Sequence, residues 1–213
     1  MVRPYRPGMR PLYRCCCWTT YAAARLMFRF ETVHAENVPA RGAFLAVSTH
    51  CSFLDPPLVG AGLGRESYYL SREEILKVPG LGRLCRALNV MPIRRGAADR
   101  QAIRRCRAIL AEGWPLLFFP EGTRSPDGRL GRIRSGFVTI LEGAPGVPML
   151  PIVLQGTHRA MPRHAKLPRP TKVRMFVGSP THLPRRRDGE AKRDYHQRCC
   201  DQLEHHWRAL GAR

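Results

Sequence analysis

Residues 43–57 read AFLAVSTHCSFLDPP and set a histidine, His50, five positions ahead of an aspartate, Asp55. A carboxylate bonded to one imidazole nitrogen fixes the tautomer and leaves the other nitrogen as a base. With an ordinary pKa of about 6.5, such a base can take a proton from an alcohol as that alcohol attacks a carbonyl. Spacing alone does not bring the two groups together. His196 and Asp201 repeat the interval, but inside a helical pattern, where five residues at about 100° each set the side chains some 140° apart. That pair is assigned to a solvated helix face. The first pair stands outside any regular pattern, and Asp55 precedes Pro56, the order favoured at a helix start, where the carboxylate caps free N–H groups. A tight turn from a strand ending at Ser48 to this cap folds His50 back toward Asp55. The competing reading is a plain cap beside a plain loop histidine.

A second constellation is FPEGTRS, residues 119–125, directly after an apolar run. Loops beyond strand ends are where α/β proteins bind ligands. Gly122 permits close backbone approach, Thr123 and Ser125 offer hydroxyls, and Arg124 is a two-pronged donor suited to phosphate. Glu121 would repel an anion unless it orders an arginine or bonds an acceptor hydroxyl. The competing reading is a simple turn, since residues 125–128, SPDG, suit a type I turn that can hold the loop in shape.

The elements that must position these residues form an α/β pattern with a mixed, mostly parallel sheet, in one domain. Strands are expected at 43–48, 67–70, 90–93, 115–119, 149–154 and 173–177. Ser71 and Glu74 suggest a capping box for a short helix stopped by Pro79. A helix over 98–112 carries Ala102, Ile103, Cys106, Ile109 and Leu110 on one stripe and ends at Gly113. A last helix opens at Asp188 and turns Ala191, Tyr195, Cys199, Leu203, His206 and Leu210 inward. Ahead of the domain (31–213), residues 1–30 are expected to form a membrane-interface helical segment, with Tyr13, Trp18, Tyr21, Leu26, Met27, Phe28 and Phe30 beside Arg14, Arg25 and Arg29. The competing reading packs this helix on the domain's own core. Removing residues 1–30 is expected to weaken binding to anionic liposomes and leave the domain folded.

The two segments together resemble the glycerolipid acyltransferases, the group containing 1-acylglycerol-3-phosphate acyltransferases, whose marks are an H-x4-D block and an FPEGTRS block. Residues 89–95, NVMPIRR, are similar to the family's second block, with Arg95 in the place of its acceptor-phosphate base. Residues 147–153, VPMLPIV, resemble its fourth. Thr49 stands where the family usually has Asn, and Asn89 and Arg94 stand where it usually has Gly and an acid. The resemblance implies His50 and Asp55 as the catalytic pair and Arg95, Glu121, Gly122, Thr123 and Arg124 around the acceptor phosphate. It also implies an acyl thioester donor, on coenzyme A or acyl carrier protein, with no cofactor and no metal. The acceptor would be 1-acyl-glycerol-3-phosphate and the product phosphatidic acid. Other acceptors are glycerol-3-phosphate or a different lyso-lipid. Direct attack by the acceptor hydroxyl is expected, with no acyl-enzyme on Cys51 or Ser52.

Composition sets the outer bounds. The chain has 213 residues and a formal charge of +20, from 36 basic against 16 acidic residues. Such a surface draws polyanions, whether nucleic acid, phosphorylated metabolites or anionic lipid headgroups. A nucleic-acid-binding module is the competing class, but no aromatic platform interleaves with the basic residues and no helix-turn-helix or finger spacing is present. The eight cysteines form no C-x-x-C pair, so neither a metal site nor a disulfide framework is read. The uncharged run at 15–24 is too short to span a bilayer, which needs about 20 residues. A peripheral place on the cytoplasmic face of a membrane follows as the expectation.

Overall fold

A computed structural model describes residues 9–93, 100–165 and 167–213 and arranges them around one seven-stranded sheet. The strands are β1 (Glu31–Val33), β2 (Leu45–Ser48), β3 (Tyr68–Arg72), β4 (Val90–Ile93), β5 (Leu116–Phe118), β6 (Met149–Gln155) and β7 (Arg174–Val177). Their spatial order is β1-β7-β6-β2-β5-β3-β4. The run from β6 to β4 is parallel throughout, whereas β7 is antiparallel to β6 and carries β1 alongside it. The helices are α1 (Pro11–Phe28), α2 (Asp55–Leu63), α3 (Glu73–Leu76), α4 (Leu81–Ala87), α5 (Arg100–Ala111), α6 (Gly136–Glu142), α7 (Thr157–Ala160) and α8 (Lys192–Ala209).

β2 lies in the middle, and all four of its residues are buried. Ala46 joins the core beneath α1 and α2, while Leu45 and Val47 join the core beneath α5, α6 and α8. A parallel strand covered on both faces needs an unbroken apolar run, which is what residues 43–47, AFLAV, supply. Each of the six anticipated strands is present, and β1 is one more.

Two helix starts differ from expectation. Ser71 is not a cap: β3 continues through it, paired with Pro92 of β4, and α3 begins at Glu73. The last helix starts at Lys192, with residues 188–189 left as a turn. Its inward face holds Tyr195, Cys199, Cys200, Leu203 and Trp207, so the position assigned to His206 belongs to Trp207. The indole, fully buried, donates from Nε1 to the Val47 carbonyl of β2 at 3.3 Å.

α1 serves two environments. Tyr13, Cys17, Ala24 and Phe28 are buried, and Ala24 and Phe28 belong to the same core cluster as the sheet and α2. Cutting the chain at residue 30 would therefore open that core, against the expectation of a folded remainder. The outer face exposes Leu12, Trp18, Leu26 and Met27. Among the described residues, no helix is long and apolar enough to cross a membrane.

The start of α1 is tied to the far edge of the sheet. Arg10 donates from its main-chain N and its Nε to Glu66, at 2.8 and 2.6 Å, and from Nη2 to the Asn89 side chain. Asn89 in turn donates to Glu66 Oε1 at 3.0 Å. Asn89 has φ of 63°, a left-handed conformation that Gly adopts freely and Asn tolerates. This accounts for an Asn where the family's block has Gly.

Candidate active site

β5, β2 and β6 are neighbours and parallel, so the segments leaving their C-terminal ends meet at one rim of the sheet. The strand order reverses here, which opens a crevice of the kind α/β sheets use for ligands. Thr49 extends β2 toward β6: its N–H donates to Ile152 O at 3.2 Å and its Oγ1 accepts Leu154 N–H at 3.1 Å.

His50 follows and is held at three points. Its N–H donates to Glu121 Oε1 at 2.8 Å, its carbonyl accepts the Ser125 N–H at 2.7 Å, and its Nδ1 lies 2.9 Å from Asp55 Oδ2. The ring stacks on Phe119 with centroids 4.2 Å apart. The imidazole keeps 18% of its surface exposed, while Asp55 keeps none. With Nδ1–H given to Asp55, Nε2 is the nitrogen available as a base.

Asp55 reaches His50 by a different route from the one expected. It stands in the first turn of α2, yet its Oδ2 turns back to accept the N–H groups of Cys51 and Ser52, at 2.6 and 2.7 Å. The carboxylate closes the turn ahead of it instead of capping the helix behind it. One oxygen thus fixes both the loop and the imidazole.

The flanking nucleophiles are unsuited to covalent catalysis. Burial pushes the Cys51 thiol up to about 12, assisted by the charges of Asp55 and Glu121, so it stays protonated near neutrality. Ser52 is buried, donates to Met161 O at 2.8 Å and accepts the Leu54 N–H at 3.1 Å.

The FPEGTRS loop divides its work. Glu121, placed with the phosphate ligands in the sequence reading, forms no ion pair among the described residues. Its two oxygens accept the N–H groups of His50 and Gly131, at 2.8 and 2.9 Å. Burial raises its carboxyl above the usual range, and those two N–H groups pull in the opposite direction. It positions the loop that bears His50, a job invisible in the sequence because its partners lie 71 and 10 residues away. Gly122 and Thr123 are exposed, and Gly122 has φ of 69°. Arg124 lays its guanidinium 3.5 Å from the centre of the Phe53 ring and donates to Arg163 O at 3.4 Å. Arg95 lies outside the described residues. Sequence reasoning missed Arg134, whose guanidine lies 3.6 Å from where a side chain on Gly122 would begin. The arginine-rich run 129–134, RLGRIR, was the available signal. The 125–128 turn is present, with Ser125 Oγ bonding Asp127 Oδ1 and the Gly128 N–H, each at 3.0 Å.

His196 and Asp201 stay apart, as the helical geometry requires. His196 is not solvated, though: its Nε2 pairs with Glu142 of α6 at 3.1 Å and only 13% of its side chain is exposed. Asp201 accepts from Gln197.

The Acyltransferase family model matches residues 29–155. The chloroplastic 1-acyl-sn-glycerol-3-phosphate acyltransferase BAT2 of Brassica napus is 38% identical over 130 residues, 60% of this chain and 37% of that protein. The 1-acyl-sn-glycerol-3-phosphate acyltransferase of Bacillus subtilis is 25% identical over 172 residues, covering 80% of this chain and 83% of that protein. The chain thus spans less than half the length of the plastid relative. The crystal structure of the 1-acyl-sn-glycerophosphate (LPA) acyltransferase PlsC from Thermotoga maritima superposes with a TM-score of 0.72 at 25% identity, over 97% of this chain and 85% of that one.

Proposed function

The chain belongs to the acyltransferase family, and from that premise we propose that it moves a fatty acyl group from an acyl thioester to the free hydroxyl of 1-acyl-glycerol-3-phosphate, making phosphatidic acid. The observation that carries this reading is the His50–Asp55 pair, with Nδ1 and Oδ2 2.9 Å apart and the His50 peptide bonded on both sides by the FPEGTRS loop. The names of the relatives support this choice of acceptor. Competition from a nucleic-acid module loses its support once the basic surface belongs to an acyltransferase.

The chemistry runs as direct transfer. Nε2 of His50 removes the acceptor's hydroxyl proton as that oxygen attacks the thioester carbonyl. The tetrahedral oxyanion collapses, the C–S bond breaks, and the imidazolium returns its proton to the departing thiolate. Asp55 holds the ring in the correct tautomer and steadies its charge throughout. Arg124 and Arg134 attract the acceptor phosphate to the exposed loop at Gly122 and Thr123, and Arg95 is proposed as a further phosphate-binding group from its place in the NVMPIRR block. Coenzyme A and acyl carrier protein are both candidate donor carriers. The outer face of α1 rests on an anionic membrane surface, at its cytoplasmic side, as a peripheral anchor.

A panel assay of the purified protein tests this: several lyso-acceptors, each offered acyl-CoA and acyl carrier protein, with products analysed by mass. Lysophosphatidate is expected to be acylated, and a folded His50→Ala variant is expected to lose at least about a hundredfold in kcat. Turnover by that variant at the unmodified rate would refute the mechanism, and an inert lysophosphatidate beside an acylated phosphate-free acceptor would refute the headgroup.

A further inference from the structure

Residues 129–134, between the 125–128 turn and α6, join no strand or helix. With no ladder to hold such a stretch, its N–H groups need individual partners. Arg129 N–H donates to Asp127 Oδ1 and Arg134 N–H to Pro120 O, each at 3.0 Å. Between them, Leu130 N–H donates to the main-chain oxygen of Arg213 at 2.7 Å, and Gly131 N–H donates to Glu121 Oε2 at 2.9 Å. Glu121 Oε1 in turn accepts the His50 N–H at 2.8 Å. A continuous line of hydrogen bonds thus joins the segment after α8 to the residue that bears the base.

That segment is itself anchored. Gly211 N–H donates to Arg208 O and Ala212 N–H to Trp207 O, each at 2.9 Å, while Gln155 Nε2, at the end of β6, donates to Gly211 O at 3.0 Å. Trp207 is fixed to β2 through Val47. Residues 211–213 are therefore referenced to β2 and β6, the strands whose ends carry the site. The other link is equally tight. A side chain on Gly131 would begin 2.8 Å from Glu121 Oε2, inside ordinary contact distance. The carboxylate cannot yield there without drawing on the His50 N–H held by its other oxygen.

We infer that residues 211–213 and Gly131 are positioning residues for His50. Arg213 holds Leu130 by its main-chain oxygen, the neighbouring Gly131 sets the Glu121 carboxylate, and Glu121 sets the His50 peptide and with it the aim of Nε2. The inference rests on the acyl-transfer reading. A misplacement of about 1 Å in a reacting group can cost a hundredfold in rate, so this brace acts on kcat and leaves substrate binding to other groups.

The test compares the full chain with a chain stopped after Leu210, with Gly131→Ala and with Arg213→Ala, each checked for folding by circular dichroism. Gly131→Ala keeps the segment after α8 in place and carries the test if the shortened chain does not fold. In the shortened chain and in Gly131→Ala, kcat is expected to fall about tenfold or more with donor and acceptor KM held. Arg213→Ala keeps the main-chain oxygen and is expected to match the full chain. In a Glu121→Gln background the same two changes are expected to cost less than about twofold further, because they act through that carboxylate. Exchange of the His50 amide hydrogen, followed by NMR, is expected to quicken in both. Unchanged kcat in the folded variants overturns the inference and leaves acyl transfer standing. So does a rise in KM alone, a full further loss in the Glu121→Gln background, or an equal loss in Arg213→Ala. Quickened His50 exchange in a protein whose full chain transfers no acyl group would uphold the brace and overturn the acyl-transfer reading.

Discussion

Glu121 bonds the His50 N–H with 4% of its surface exposed, and it forms no ion pair among the described residues. Desolvation raises its carboxyl above the ordinary value. Between that ordinary value and the raised one, the folded protein holds a proton that the unfolded chain has released. The stability this residue contributes therefore falls as pH rises through that window and is level above it. Glu121→Gln lacks the titration, so the stability gap between wild type and variant should shrink from about pH 4 toward neutrality in urea denaturation. A gap that stays flat would contradict the assignment. The same substitution offers one oxygen for two N–H groups, and activity should suffer with it. His50 and Asp55 were legible in sequence because the proline pair and the strand end confine the turn between them. Glu121 was not legible, because its identity suggests charge while its environment uses it as a backbone acceptor.

At the α4–β4 junction, Asn89 combines a left-handed backbone with bonds to Glu66 and Arg10. Asn89→Gly keeps the conformation and loses the bonds, whereas Asn89→Ala loses both. Chemical denaturation should find Ala less stable than Gly by about 1 kcal/mol, and equal stabilities would show that the turn carries no strain. Strand positions were readable because buried parallel strands appear as short apolar runs between breakers. β1 escaped because it has three half-buried residues and a partner, β7, far along the chain. Ser71 misled because pairing with β4 outweighs a local cap, and Trp207 because the helix's inward stripe was drawn one position off.

Across the whole molecule, a charge of +20 accompanies an α1 face that exposes Leu26 to 87% and Trp18 to 52%. Guanidinium groups among phosphates and apolar side chains in the acyl boundary act together at a membrane surface. Trp18→Ser with Leu26→Ser should weaken partitioning to anionic vesicles at least about tenfold, since each buried side chain of this size is worth some 1.5–3 kcal/mol, with the fold intact. Unchanged partitioning in a sedimentation assay would remove the anchor from α1. The two margins of the sheet have a separate consequence. β1 has three residues, and its Glu31 pairs with Lys172 and Arg174, while β4 includes Pro92, which has no N–H to give. Short, charged and proline-bearing borders resist the strand-by-strand addition that seeds fibrils, so crowding of copies on a lipid surface need not end in aggregation.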